Sequence, residues 1–212
     1  MGMSSDVGET VVLAGFDARR PYNEPAPSRS AEEREMFLLR PEVTNVLSVS
    51  SSIWSSMLDV DPALTRPPGL LGPIQDLWGD LEFLLSCLDE QWGSPWKPCT
   101  VIAIGAVFTM ENAGLWPHPL EGVNPSRPDS KWHLLGYDVA DAWLTSGLSG
   151  FGYLPEVEDI HDARAKWGGK LNRFHLFDRY DHADKFRHAS DSRVSEHAPF
   201  FVFAIWDCKA AG

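Results

Sequence analysis

The stretch of sequence that decides the fold is Pro73 to Gln91, PIQDLWGDLEFLLSCLDEQ. Pro73 suits the first turn of a helix, where a missing N–H costs nothing, and Gly93 and Pro95 lie just beyond the last turn. At 3.6 residues per turn, the large apolar side chains form one stripe roughly 120° wide. This stripe contains Ile74, Leu77, Trp78, Leu81, Leu84, Leu85 and Leu88. The pattern predicts an amphipathic helix that faces the core.

The opposite side of this helix carries an aromatic residue among carboxylates, in the line Asp76, Asp80, Phe83, Cys87 and Glu90. A second acidic group opens a later predicted helix and contains Glu156, Glu158, Asp159 and Asp162. Aromatic anchors surrounded by charge are typical of tight protein interfaces. We therefore expect a partner-binding surface made of Asp76, Asp80, Phe83, Glu90, Glu156, Glu158, Asp159 and Asp162. Two simpler interpretations remain open: Phe83 packs beneath a loop, and the later acids stabilise a helix N-terminus.

The composition indicates one acidic globular domain. The chain has 212 residues, of which 43% are apolar and 23% charged, and this balance is typical of a folded protein. Its formal net charge is −12, which argues against nucleic acid as a partner because phosphate contacts need Lys and Arg. The charge favours association with a basic protein.

The charge is unevenly distributed along the chain. Neither Lys nor Arg occurs between Arg66 and Lys97, or between Lys131 and Arg164. From Arg164 to Arg193 the balance reverses, with eight Lys or Arg against four Asp. The sequence therefore predicts an acidic body and a mildly basic segment near its end.

Cysteine usage and the N-terminus point to a cytoplasmic protein. The three cysteines form no C-x-x-C pair and make a disulfide framework unexpected. The N-terminal residues lack the features of a secretory signal. The longest apolar run, Val101 to Phe108, is too short to cross a membrane, so we expect no membrane association.

The remaining predicted elements define the fold class. We expect strands at 10–16, 100–109, 132–137 and 199–207, with a further candidate at 43–49, and helices at 30–40, 139–145, 155–167 and 181–189. Strands and helices interleave without the regular βαβ rhythm of a doubly wound fold. The order predicts a single α+β domain spanning 1–212, with a mixed sheet of about four to six strands and helices mainly on one face. The Pro/Gly-rich stretch 61–73 is a possible soft boundary.

Histidine and aspartate residues are concentrated in the C-terminal third. His175, Asp178, Asp181 and His182 are the combination that suggests a metal site, but their spacing matches no ligand motif. Asp184 and His188, one helical turn apart, are better explained as a surface pair. We therefore predict no metal.

A glycine-rich turn offers the candidate nucleophiles Ser146 and Ser149. Asp138 and Asp141 precede the turn, and His161 and His197 follow it. The segment GLSGF falls short of the G-x-S-x-G elbow, and SGLSGFGY lacks the dinucleotide-binding pattern. We interpret the glycines as turn residues, and predict no catalytic residue and no cofactor.

Charge, size and the missing motifs together favour a binding protein. The hypothesis is an acidic cytoplasmic binding protein of the immunity or inhibitor type, which neutralises a basic toxin or effector such as a nuclease. Electrostatic attraction would speed the capture of such a partner. The alternative is a hydrolase of unfamiliar type that uses His and Asp residues of the C-terminal third.

Overall fold

The structure is a computed structural model that describes residues 10–19, 35, 38–43, 46–50, 71, 77–92, 100–117, 120, 123, 125, 128–148 and 160–208. Its helices and strands, in chain order, are β1 (Thr10–Arg19), α1 (Leu81–Trp92), β2 (Thr100–Phe108), β3 (His133–Ala140), α2 (Ile160–Trp167), α3 (Tyr180–Arg193) and β4 (Phe201–Asp207). Short 3₁₀ turns occupy Ala113–Leu115 and Gly168–Lys170. The predicted soft boundary at 61–73 lies outside the described residues, except for Leu71.

The four described strands form one sheet in the order β1-β2-β4-β3. The α+β class is confirmed, with the strand count at the lower end of the expected range. All three pairings among these described strands are antiparallel, where a mixed sheet was expected. The last strand, β4, lies between β2 and β3 and runs antiparallel to both.

The two faces of the sheet are covered differently. On one face, which we call the helix face, Val101 and Val202 pack with Leu84 of α1, Trp167 of α2 and Phe186 of α3. On the other, the loop face, strand residues pack with apolar residues from irregular segments, among them Leu47, Leu71, Trp116, Leu144 and Leu176. The prediction that helices pack mainly on one face is confirmed. Both faces of β2 and β4 are therefore buried, which explains their continuous apolar sequences.

Each edge strand is crossed by a short segment from elsewhere in the chain. On β1, Phe16 and Trp78 exchange two backbone hydrogen bonds, both 2.8 Å long. On β3, Tyr137 and Phe177 exchange two bonds of 2.8 and 2.9 Å. An open edge is a template for unwanted strand pairing, so these segments protect part of both edges.

A glycine permits each of these crossings. Gly15 and Gly136 adopt φ angles of +150° and +145°, and each lies at a register shift in its strand. A Cβ atom at Gly15 would lie 2.7 Å from the carbonyl oxygen of Trp78, and one at Gly136 would lie 2.8 Å from that of Phe177. The backbone conformation and the close approach both require glycine.

Helix α1 begins later than its sequence pattern predicts. Leu77 and Trp78 are buried as expected, but they precede the helix and lie against β1. Asp80 then starts the helix, since its Oδ1 accepts the backbone N–H of Phe83 at 2.9 Å. Strand-like pairing of Trp78 thus takes precedence over the helical period, and Ile74 lies outside the described residues.

Other element boundaries also differ from expectation. The helix expected at 139–145 is absent from that described segment, because β3 continues to Ala140 and a tight turn follows. Helix α3 is longer than predicted, since it begins at Tyr180 and continues to Arg193. No strand occurs among the described residues of 43–49. Nowhere in the described part of the chain is a helix both long and apolar enough to span a bilayer.

Candidate functional site

The outer face of α1 is the best candidate for a binding surface. Leu84 and Leu88 bury the inner side of the helix, while Glu82, Phe83, Ser86, Asp89 and Glu90 are exposed on the outer side. We call these five exposed residues the α1 surface. Phe83 is 42% exposed, and its ring centroid lies 5.9 Å from that of the buried Trp78. The ring is thus supported from below and accessible from above.

Two of the three carboxylates of α1 lie where the helix dipole does not favour negative charge. Glu82 lies in the first turn, where the helix dipole favours negative charge. Asp89 and Glu90 lie near the C-terminal end, and no basic residue occurs in the last turn. Negative charge is unfavourable at that end of a helix. The helix dipole therefore disfavours these two residues at the position where the surface is most acidic.

Asp80 has a structural role that the sequence prediction did not include. Its side chain caps α1, so a change at this position alters the helix as well as the charge. Cys87, placed on the same line by the sequence pattern, is half-buried and packs against the core. The accessible part of the predicted line therefore centres on Phe83 and Glu90.

The predicted partner-binding residues are only partly described. Asp80, Phe83, Glu90 and Asp162 are all exposed. The other four lie outside the described residues: Asp76, Glu156, Glu158 and Asp159. Asp162 belongs to α2, whose Trp167 packs against Phe177 at the β3 edge, whereas α1 packs on β1. The single surface proposed from the sequence therefore stays a prediction.

One of the His and Asp combinations considered in the sequence does form a pair. Nδ1 of His197 lies 3.1 Å from Oδ2 of Asp141. The other carboxylate oxygen, Oδ1, accepts the backbone N–H groups of Trp143 and Thr145 at 2.9 and 2.8 Å. The carboxylate is buried, while His197 is about one third exposed.

Ser146, by contrast, is not placed as a nucleophile. It is fully buried, and its hydroxyl donates to Oδ1 of Asp138 at 2.7 Å. Asp138 also accepts the Ser48 hydroxyl and the Val49 N–H, each at 2.9 Å. Burial raises the pKa of Asp138, and the hydrogen bonds oppose that shift. The group joins two loops to β3, and Ser149 lies outside the described residues.

Three of the four residues considered for a metal site have other partners. His175 is buried, and its Nε2 accepts the Arg40 N–H at 3.1 Å. Burial lowers the pKa of His175 to about 3, with a smaller contribution from Arg40, so the ring is neutral. Asp178 accepts from Asn172, and Asp181 pairs with Arg179. Among the described residues, no group of three His, Cys, Asp or Glu side chains is arranged to bind a metal.

The pairing of Asp184 with His188 is present, but it belongs to a larger cluster around a buried arginine. The two side chains approach to 3.6 Å. Arg187, which is 2% exposed, lies 2.9 Å from Asp184 and 3.2 Å from Asp191, and its NH2 contacts Nε2 of His188. In the sequence, Asp184 and Asp191 lie three and four residues from Arg187, and this spacing predicts both ion pairs on a helix. The cluster stabilises α3, and the charge of Arg187 is balanced by Asp184 and Asp191.

No protein-family model matches the chain, and no solved structure matches it. A functional assignment must therefore come from the residues themselves.

Proposed function

We propose that the protein is an acidic cytoplasmic binding protein of the immunity or inhibitor type. It neutralises a basic toxin or effector, such as a nuclease, through protein–protein contact. The observation that carries the proposal is the α1 surface, where a supported but accessible Phe83 lies among carboxylates with no base on the same helix. A basic partner supplies the compensating charge.

Phe83 has the properties of an interface anchor. Trp78 beneath it is buried and held by two backbone hydrogen bonds to Phe16. A ring that is already positioned loses little conformational freedom on binding, so more of its contact energy contributes to affinity. Central aromatic anchors commonly dominate the energy of an interface.

We expect the carboxylates to speed association with the partner more than they stabilise the final complex. With a net charge of −12, the protein attracts a cationic partner over a distance of about 10 Å at moderate salt. Rim charges of this kind mainly change the association rate. Asp89 and Glu90 lie at the end of α1 where the helix dipole disfavours negative charge. This placement supports a role for them in binding and not in helix stability.

Site-specific cross-linking tests the proposal. A photoreactive amino acid replaces Phe83 in one version of the full chain and Leu115, which is 50% exposed, in a matched control. We expect a basic protein to be cross-linked from position 83 and not from position 115. The purified partner should then bind the unmodified protein more weakly as salt rises, and lose its own activity when bound. Equal cross-linking from both positions, or a bound partner that stays active, would contradict the proposal.

A further inference from the structure

We propose that His197 is the general base of a second site, at which it removes a proton from a water molecule that attacks an uncharged ester. The site lies beside β3, away from the α1 surface on β1, and is independent of the proposed binding function. It consists of the His197 and Asp141 side chains and the loop that carries Trp143.

Asp141 fixes the orientation of the His197 ring. One of its oxygens faces Nδ1 of His197 at 3.1 Å, and the other is held by the N–H groups of Trp143 and Thr145. A buried carboxylate with both oxygens engaged has little freedom to rotate. The imidazole therefore presents Nε2 on the side opposite Asp141, and 32% of the side chain is exposed.

The same contact determines which ring nitrogen is basic. An ionised carboxylate only accepts hydrogen bonds, so Nδ1 carries the proton and Nε2 carries the lone pair. When Nε2 gains a proton, the charge of Asp141 stabilises the resulting imidazolium. This is the role that aspartate plays for histidine in hydrolytic triads. Asp141 is thus a positioning residue, and His197 is the group that contacts the reacting water.

The neighbouring loop offers a surface for the substrate. Trp143 is 69% exposed, although its own N–H is bound to Asp141. The next residue, Leu144, has a buried side chain and a φ of +62°, a strained conformation for a residue other than glycine. A rigid loop that exposes an indole ring suits a flat apolar group, so we assign the site an aryl ester.

Water is the nucleophile because the nearby Ser146 is fully buried and bound to Asp138. The water oxygen bonds to the carbonyl carbon as its proton passes to Nε2 of His197. The bond from that carbon to the leaving oxygen then breaks, and the proton on His197 passes to this oxygen. The products are a carboxylic acid and an alcohol or phenol, and no further reactant is required.

Hydrolysis of p-nitrophenyl benzoate by the full chain tests the site. We expect the wild type to exceed the same concentration of free imidazole, and His197→Gln to lose at least about tenfold in rate. His188→Gln is the matched control, since His188 is also a partly exposed histidine near an aspartate, and should keep the wild-type rate. Trp143→Ala should raise KM for the benzoate more than for p-nitrophenyl acetate. A wild type no faster than imidazole, or a His197→Gln variant as fast as wild type, would overturn the proposal.

The state of the ring provides a test that does not depend on activity, and its first measurement needs only the wild-type protein. Nitrogen chemical shifts of His197 in the wild type should show a proton on Nδ1 and a lone pair on Nε2. In Asp141→Asn this preference should weaken while the neighbouring histidines keep theirs. A wild-type ring protonated on Nε2 would contradict the role assigned to His197.

Discussion

The two edges of the sheet are built in the same way but carry their polar groups differently. At both edges a glycine bulge admits a crossing segment that exchanges two hydrogen bonds with the strand, through Trp78 on β1 and Phe177 on β3. Beyond Trp78 the chain continues into α1 and its exposed carboxylates. Near Phe177, the charged and polar groups Asp138 and His175 are buried and hold loops in place.

This difference separates the exposed charge of α1 from the buried charge that maintains the fold. The carboxylates of α1 are exposed, whereas the buried Asp138 accepts hydrogen bonds from Ser48, Val49 and Ser146 that would be lost with it. One buried pair departs from the pattern: Arg19 and Asp17, 2.7 Å apart, lie at the end of β1. The comparison therefore applies to the α1 surface and not to every residue of the β1 edge.

The largest expected effect comes from filling either bulge. Gly15→Ala and Gly136→Ala should each destabilise the protein by about 4 kcal/mol, because the new Cβ adds a steric clash to an unfavourable φ. Urea unfolding measures both. Gly114→Ala is the control, since nothing lies within 4 Å of the added atom, and should change stability little. If only one bulge variant is destabilised, the two edges are not equivalent.

The next largest effect concerns the buried carboxylate of β3. Asp138→Ala should cost about 3 kcal/mol, because the Val49 N–H and the Ser48 and Ser146 hydroxyls lose their acceptor. Glu90→Ala on α1 should stay within about 0.5 kcal/mol of wild type. Similar losses for the two variants in urea unfolding would remove the distinction between the edges.

Acid should weaken the β3 edge through His175. The pKa of this residue is about 3 in the folded protein and ordinarily near 6.5, so the unfolded state takes up the proton first as pH falls. Its contribution to stability is complete above pH 6.5 and decreases by about 1.4 kcal/mol per pH unit toward pH 3. Unfolding free energies measured across this range give the slope.

The control for acid sensitivity is a second histidine. His175→Gln should reduce the dependence of stability on pH, while His133→Gln at an exposed position should preserve it. Asp138 acts in the opposite direction, since its raised pKa favours the folded state at low pH. The effect of His175 is therefore the difference between wild type and variant. An unchanged slope in His175→Gln would show that this ring does not govern acid unfolding.

The smallest effects on stability belong to the α1 surface. Phe83→Ala should cost only about 1 kcal/mol, because the ring is half-exposed, but should weaken partner binding by about 30-fold. Leu115→Ala removes an apolar side chain of similar exposure and should leave binding unchanged. Calorimetric titration with the cross-linked partner, once purified, distinguishes the two. Equal weakening by both variants would argue against a specific role for Phe83.

The sequence was sufficient for features that depend on residue periodicity. Continuous apolar runs correctly located β2 and β4, and the apolar stripe correctly marked Leu84 and Leu88 as buried. It failed where a contact distant in sequence decides the local structure. Because Trp78 pairs with Phe16, α1 begins later than its sequence pattern predicts. Because Ser146 donates one of the four hydrogen bonds that Asp138 accepts, this serine is buried and not on the surface. The Asp141–His197 pair was only one of several combinations, because 56 residues separate its members.

We propose that local charge on α1, in addition to the net charge of the protein, guides a basic partner to Phe83. The most direct measurement is the association rate of that partner with two variants that raise the net charge equally, Asp89→Asn/Glu90→Gln and Glu196→Lys. The first should slow association about tenfold without loss of stability, because it removes charge beside Phe83 and relieves the unfavourable helix end. The second should bind at close to the wild-type rate. Equal slowing by both variants would contradict the account.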